Sequence, residues 1–288
     1  MPPPGLTDYT FAFGENGTIL NVDNNQVFPW IDINQVSGLD TAPLRSSTDE
    51  HQGSDGTYID TPYMSSRTIV LTGTLYTNPT DNDTLLNQLK ADYNDDVVRP
   101  FYFQLPGQPT KFCNGQGGGL RYDVDVNRRL GMTPVQFTVL AEDPYIYDYP
   151  ANQSAVSVPT LSILGTLFNM SFNVGFGGAL PNYGATVTNN GTHTAYPLIT
   201  IIGPVTNPVL SDSYTGITMA LNISLSAGDT LVIDCRQKSI VLNGQVSRRT
   251  AMAGLKWITV PPGISDTISF TADSGTGSAT VQLWNTYW

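Results

Sequence analysis

The sequence predicts a mainly β protein of two domains: an N-terminal antiparallel β-sandwich with one α-helix, followed by a second β-sandwich. Short runs rich in Val, Ile, Thr and Tyr, bounded by Gly, Asn, Asp and Pro, recur along the 288 residues. A single segment has helical spacing instead. The hydrophobic content of 40% supplies enough material for a core and excludes a disordered chain.

The first half combines strands with the predicted helix. Residues 67–76 alternate Ile69 and Leu71 with threonines, which is typical of a half-buried strand, and residues 134–140 have the same character. Between these strands, apolar residues recur at helical spacing: Leu85, Leu86, Leu89, Tyr93 and Val97. We expect an amphipathic helix over about 81–98, laid across a sheet and ended before Pro100.

The second half consists of strands and turns alone. The predicted strands are 198–202, 231–235, 239–242, 264–271 and 279–284. Asn243-Gly244 is typical of a hairpin turn. The nearly uncharged stretch 151–183 predicts a linker with extended strands, so the expected domains are 1–150 and 184–288.

The negative charge is confined to the first half of the chain. Of 24 acidic and 13 basic residues, 19 acids and 8 bases lie in residues 1–150, a net of -11, and 5 of each lie in residues 151–288, a net of 0. Tight binding to nucleic acid is disfavoured, because it needs Lys and Arg to displace counterions from phosphates.

Residue types that carry catalysis or bind metals are sparse. The two histidines, His51 and His193, lie in polar stretches, and the chain has no Gly-x-Ser-x-Gly, Cys-x-x-Cys or His-Glu-x-x-His motif. Cys113 and Cys235 are expected to be unpaired buried thiols. No secretory signal or membrane-spanning run is visible, so we expect a protein made in a cytoplasm, without a cofactor or a membrane partner.

Three short motifs have a functional and a structural interpretation. Asp273-Ser274-Gly275-Thr276 matches half of an aspartic protease site, but its composition favours a polar hairpin loop. Asp123-Val124-Asp125-Val126-Asn127 begins like a calcium loop, but lacks the glycine and the closing glutamate and predicts one solvent-facing edge of a strand. The glycine run 115–119 precedes a strand rather than a helix, which favours a mobile hairpin tip over a phosphate site. A pair of carboxylates for glycoside cleavage stays an alternative, since only the fold sets their separation.

The order of these elements resembles the distal tail proteins, which form the tail-tip hub of long-tailed bacteriophages. In the first half the resemblance lies in the strand 69–75, the Leu-rich helix 83–89 and the closing segment 135–147. The second half is similar to the galectin-like, jelly-roll-type carboxy-terminal domain of that family. Its matching stretches are 189–192, 197–204, 227–234, 241–244, 257–263 and a last strand that ends in Tyr287-Trp288.

The resemblance implies a structural virion protein at the distal end of a phage tail, without enzymatic activity. Members of the family form a hexameric ring between the tail tube and the tip or fibre proteins, and the ring encloses a channel for DNA. An acidic first domain fits this role, because like charges let DNA pass without being held. The segments 38–63 and 106–119 are the ones expected to reach a neighbouring subunit.

The alternative function is a carbohydrate-binding adhesin or receptor-binding module of a phage tail or a cell wall. Sugar-binding galectins use a His-x-Asn-Pro-Arg stretch followed by Trp-x-x-Glu. This chain has His193-Thr194-Ala195-Tyr196-Pro197 and Trp257-Ile258-Thr259-Val260 instead, which lack the hydrogen-bonding residues. Trp257 is therefore expected to pack against the protein rather than to stack on a sugar.

Overall fold

The structure, a computed structural model, describes residues 6–14, 19–21, 30–93, 97–157 and 184–288. Backbone contacts divide the chain into two compact units: the first ends at Tyr149 and also includes Tyr287–Trp288, and the second is Pro150–Thr286. Both units consist mainly of antiparallel strands, which confirms the predicted fold class.

The first unit contains β-strands, one α-helix and a short 3-10 helix, Val126–Leu130. Its strands are β1 (Thr10–Phe13), β2 (Leu20–Asn21), β3 (Trp30–Ser37), β4 (Leu44–Arg45), β5 (Thr48–Glu50), β6 (Thr57–Ile59), β7 (Tyr63–Met64), β8 (Arg67–Tyr76), β9 (Arg99–Gln104), β10 (Lys111–Tyr122), β11 (Met132–Ala141) and β12 (Ile146–Asp148). The helix α1 is Asn82–Tyr93.

The main sheet of the first unit closes on itself. Its order is β11-β8-β3-β2-β1-β9-β10, and β10 pairs with β11 again. Neighbouring strands are antiparallel except β2 and β3, which are parallel. This pairing connects the two ends of the described series of strands into a ring, in which β2 and β3 are joined by the single residue pair Asn21 and Asp32. Aromatic and aliphatic side chains fill one core, among them Phe11, Phe101 and Phe137.

Helix α1 covers this core where β10 and β11 meet. Its residues Leu86, Leu89 and Tyr93 are buried, which confirms the predicted amphipathic helix. The prediction of a helix to about 98 falls partly on residues 94–96, which lie outside the described residues, and Val97 is not helical and is 53% exposed rather than part of the buried face.

The second unit is built from strands and a 3-10 helix, Arg249–Ala251. Its strands are β13 (Asn152–Ser157), β14 (Gly184–Thr188), β15 (Leu198–Ile202), β16 (Val205–Thr206), β17 (Val209–Asp212), β18 (Thr218–Leu221), β19 (Ser224–Leu225), β20 (Thr230–Asp234), β21 (Ser239–Leu242), β22 (Val246–Ser247), β23 (Met252–Ala253), β24 (Ser265–Thr271), β25 (Ser274–Gly275) and β26 (Ser278–Leu283). The last strand of the chain is β27 (Thr286–Tyr287).

Two larger sheets of the second unit share one core. Their orders are β13-β26-β15-β20-β21-β22 and β14-β24-β17-β18-β23, and β16 forms a smaller sheet with β19 and β25. The predicted hairpin turn is confirmed, with left-handed φ angles of 50° at Asn243 and 69° at Gly244. The predicted linker 151–183 begins with β13, which pairs with β26, and its remainder from 158 lies outside the described residues.

Candidate functional site

The motifs that suggested chemistry have structural roles. His51 stacks on Tyr58 with ring centroids 3.9 Å apart, and the backbone of His193 bridges to Thr286. Cys113 and Cys235 are buried free thiols, as predicted, and burial raises the pKa of each to about 12. Within the described ranges, no three His, Cys, Asp or Glu side chains come together as metal ligands.

The prediction that the glycine run 115–119 forms a mobile hairpin tip is wrong. These residues lie inside β10, which is paired on both sides with β9 and β11. A Cβ atom at Gly117 would lie 2.2 Å from the main-chain oxygen of Tyr93. Gly117 is needed because the end of helix α1 approaches β10 at main-chain distance, whereas a Cβ atom at Gly115 would meet the main chain of Leu140 in β11. Of the segment 106–119, only the part before Lys111 is therefore a loop.

The loop around Asp273 also differs from the prediction. The strands before and after it, β24 and β26, belong to different sheets, so the segment crosses between sheets and is not a hairpin loop. Its middle, Ser274–Gly275, pairs with β16. Asp273 accepts a hydrogen bond from Asn207 at 2.8 Å, which makes its carboxylate part of the loop structure.

Trp257 packs as expected. It is 7% exposed within the core of the second unit, and the guanidinium carbon of Arg249 lies 4.7 Å from its ring centroid. The indole face is therefore covered by protein.

The first exposed surface of interest is a long β-hairpin, residues 44–64, which we call the arm. Pairing of β4 with β7 and of β5 with β6 holds its two strands together. Its large apolar side chains are between 61% and 71% exposed: Leu44, Tyr58, Ile59 and Tyr63. Residues 44–63 of the arm belong to the segment 38–63 that the sequence singled out, and both strands of the arm are exposed.

A buried arginine fixes the root of the arm. Arg67, which is 1% exposed, donates hydrogen bonds to the carbonyl oxygens of Gly38 at 2.8 Å, of Pro144 at 2.9 Å and of Asp40. Ser65 N–H donates to the Pro43 carbonyl at 2.7 Å and closes the hairpin. The segments on either side of the arm are thus tied to one guanidinium group.

The second exposed surface is residues 121–131, the end of β10 and the turn that connects it to β11, which we call the tip. The sequence predicted a strand edge here, but the turn contains a 3-10 helix because Asp125 caps it and accepts from the N–H groups of Asn127 and Arg128. Gly131 ends the helix with φ 78°, and a Cβ atom there would lie 1.9 Å from the Thr77 oxygen. The apolar side chains of the tip are between 71% and 73% exposed: Val124, Val126 and Leu130.

The tip is also anchored from its side. The guanidinium of Arg128 pairs with Asp83 at the start of α1 and lies 5.7 Å from the ring centroid of Tyr122. Sequence reasoning missed this surface, although Asp125 and Gly131 are a recognisable pair of helix-capping residues.

A pair of buried carboxyl groups lies in the second unit. Asp212 is 3% and Asp266 0% exposed, and one oxygen of Asp266 accepts hydrogen bonds from Ser213 Oγ at 2.9 Å and Tyr214 N at 3.1 Å. Burial raises the pKa of Asp266, and the charge of Asp212 and a side-chain hydrogen bond with it raise this pKa further. The ionised form of Asp266 is therefore unfavourable in the folded unit, because it is buried beside a second carboxyl group.

We expect Asp266→Asn to stabilise the second unit above neutral pH. The folded wild type binds a proton that the unfolded chain releases, so its free energy of unfolding falls as pH rises from the ordinary carboxyl range through the raised pKa. The amide keeps an acceptor for Ser213 and has no carboxyl proton to lose.

Urea unfolding between pH 5 and 9 measures this effect. The matched control is Asp273→Asn, which removes an exposed carboxylate of the same unit and should keep the wild-type pH slope. An Asp266→Asn protein with that same slope would contradict the raised pKa of Asp266.

The described part of the chain contains no helix long and apolar enough to cross a membrane. The fold is that of a two-unit β protein, and seven of its exposed large apolar side chains among the described residues lie on the arm and the tip. Exposed apolar groups of this kind are typical of surfaces that contact other proteins.

Comparison with known proteins specifies this class. Residues 190–288 match the family described as siphovirus-type tail component, C-terminal domain. The fold is similar to that of SPP1 Dit (gp 19.1), described as a paradigm of the hub adsorption apparatus in phages that infect Gram-positive bacteria, with 12% identity, a TM-score of 0.63, and coverage of 97% of this chain and 99% of that chain.

A second likeness involves a phage baseplate. A chain of the phage P2 baseplate in its activated conformation with Ca is 9% identical, with a TM-score of 0.52 and coverage of 94% of this chain and 97% of that chain. No curated protein sequence matches. The matches confirm the resemblance to the distal tail proteins that the order of elements indicated.

Proposed function

We propose that the chain is a structural hub at the distal end of a phage tail. Six copies form a ring between the tail tube and the tip or fibre proteins, and DNA passes through the ring without specific binding. The observation that carries this proposal is the agreement in fold with a hub protein over 97% of this chain and 99% of that one. The protein acts through its surfaces, has no enzymatic role, and joins the virion after synthesis in the host cytoplasm.

The distribution of charge supports a conduit for DNA. Of the described acidic residues of the first unit, Asp148 is the buried one, and the others are exposed or half-buried. The excess of 11 negative charges in residues 1–150 therefore lies mostly at the surface. A channel lined by part of this charge repels phosphates and does not retain them.

The observations on the second unit favour the hub over the carbohydrate-binding alternative. A sugar platform needs an accessible aromatic face, and Trp257 is covered. Among the described residues of the second unit, a single large aromatic side chain is exposed, Tyr214 at 56%.

Mass photometry and negative-stain microscopy test the ring. The full chain, measured alone and together with the tail tube and tip proteins of the same phage, is expected to form a ring of six chain masses. A strict monomer under both conditions that binds cell-wall polysaccharide would overturn the hub and establish the adhesin.

A further inference from the structure

The second unit has a strongly basic segment, residues 236–256, which we call the basic edge. The segment contains all five bases of residues 151–288 and no acid. These bases are Arg236, Lys238, Arg248, Arg249 and Lys256. A half-chain with a net charge of 0 therefore carries +5 on one stretch of 21 residues, and its five acids lie elsewhere.

The fold brings these bases close together. The last strand of one large sheet is β22 and that of the other is β23, so the edge strands of both sheets belong to this segment. Lys238 directly precedes β21, and the N–H group of Arg248 donates to the carbonyl oxygen of Ile240 in that strand at 2.8 Å. Since a strand rises about 3.3 Å per residue and paired strands lie about 4.8 Å apart, the Cα atoms of Lys238 and Arg248 are within roughly 10 Å of each other.

The other bases continue the same edge. The guanidinium carbon of Arg249 lies 4.7 Å from the ring centroid of Trp257, which directly follows Lys256. At the other end, the guanidinium carbon of Arg236 lies 5.8 Å from the ring centroid of Tyr196. Positive charge thus runs from the turn between β20 and β21, past β22, to the loop before Trp257.

The charge of the basic edge is accessible to a ligand. Lys238, Arg248 and Lys256 are exposed, and none of them forms an ion pair with another described residue. Asp234, the nearest acid along the chain, accepts hydrogen bonds from two main-chain N–H groups of the turn between β20 and β21, at 2.9 and 2.8 Å. The edge therefore keeps a net positive field.

The chemistry of the basic edge fits a polymer that repeats a negative charge. The centre of a protein interface is depleted in charged residues. Here charge dominates, and the exposed large apolar side chains of the edge are Val246 and Leu255. Guanidinium and ammonium groups bind phosphate oxygens through charge-assisted hydrogen bonds. Each phosphate that such a group neutralises also releases counterions, which favours binding.

A flexible polymer suits the basic edge better than duplex DNA does. Duplex DNA is stiff over about 50 nm, so a bound duplex extends far beyond a segment of this size. Its further phosphates meet the field of a chain whose first 150 residues carry a net charge of -11. A flexible polymer follows the edge and bends away from that charge.

We propose that the basic edge binds an anionic polymer of the host cell surface, a flexible chain that carries phosphate groups. The choice of the cell surface rests on the proposed function, because the distal end of a tail is the part that approaches the cell. The bases contact phosphate oxygens, so this recognition needs no aromatic platform for a sugar ring and agrees with the covered Trp257.

Binding of a labelled glycerol phosphate polymer to the full chain, followed by fluorescence anisotropy at increasing salt, tests the inference. For about four phosphate contacts, log K falls against log salt with a slope of about -3. The double variant Lys238→Glu with Arg248→Glu is expected to bind at least about tenfold more weakly and to lower the slope to about -1.5. Both positions are exposed, so the urea midpoint should not change.

The matched control is Arg121→Glu with Arg129→Glu, which changes the net charge of the chain equally at two exposed positions of the first unit. It should bind within about twofold of the wild type, because salt screens charges beyond the Debye length. An equal loss of binding in the two double variants would overturn the assignment to the basic edge.

Other polymers identify the ligand. No binding of the glycerol phosphate polymer at low salt would overturn the inference, as would tighter binding of duplex DNA. Equal affinity for polyglutamate of the same charge would overturn the recognition of phosphate. The ring is a separate measurement: rings without polymer binding would overturn this inference and leave the hub intact, whereas the absence of rings would overturn the hub and not the affinity of the edge.

Discussion

Asn189→Ala is expected to lower the free energy of unfolding of the second unit by about 3 kcal/mol. Asn189 is fully buried, and its amide nitrogen donates to the carbonyl oxygens of His193 at 2.8 Å and Val260 at 2.9 Å. Its side-chain oxygen accepts from Gly191 N at 3.0 Å and, more weakly, from Thr286 N at 3.5 Å. Alanine would leave buried main-chain groups without partners, and water cannot reach them without opening the fold.

Urea unfolding followed by tryptophan fluorescence measures the loss. The neighbouring Asn190→Ala is the matched control, because the Asn190 side chain is exposed and its N–H, which donates to Asn285 at 2.8 Å, remains. We expect the control to stay within about 0.5 kcal/mol of the wild type. Equal midpoints for the two variants would show that the Asn189 network does not stabilise the unit.

The stretch 189–192 illustrates what the sequence could and could not predict. The sequence shows where this stretch falls in the order of elements. It does not show why Asn189 and Gly191 are needed there, because their partners Val260 and Thr286 lie far along the chain. Gly191 is required for a similar reason, since a Cβ atom there would lie 2.1 Å from the Thr286 oxygen. Contacts that depend on the tertiary fold leave no local pattern of hydrophobicity.

Strands were predictable because alternation is a local property. The predicted 67–76, 198–202 and 239–242 coincide with the observed strands β8, β15 and β21. The glycine run 115–119 was misinterpreted because glycine marks both mobile turns and close main-chain approach. The main-chain oxygen of Tyr93 beside Gly117 shows that this glycine serves close approach, and the sequence does not reveal that contact.

The exposed surfaces were predictable in part. The arm was expected from a long polar segment between strands, whereas the tip was read as a strand because valines alternate with aspartates at 123–127. The capping carboxylate of Asp125 overrides that alternation, since it satisfies two N–H groups at the start of the turn. Val124 and Val126 are exposed because they lie in this turn, and no sequence pattern predicts their exposure.

Arg67→Met is expected to destabilise the first unit by about 3 kcal/mol and to loosen the root of the arm. Methionine fills much of the volume but donates no hydrogen bond, so the carbonyl groups of Gly38, Asp40 and Pro144 lose a shared donor. Hydrogen exchange should rise at residues 38–43 and along the arm before it rises in β8. Arg121→Met, which removes an exposed arginine of the same unit, should change neither measurement.

Arg67→Lys separates the charge from the geometry of the guanidinium. Lysine keeps the positive charge near Asp40 but presents a single nitrogen, whereas the planar guanidinium donates from two nitrogens to the two segments that it joins. If the two donor nitrogens of the guanidinium hold the root of the arm, Arg67→Lys is expected to lose most of the stability that Arg67→Met loses. Hydrogen exchange along the arm then rises in both variants. If hydrogen exchange along the arm is as slow in Arg67→Lys as in the wild type, the positive charge alone holds the root of the arm. The geometry of the guanidinium would then have no part in it.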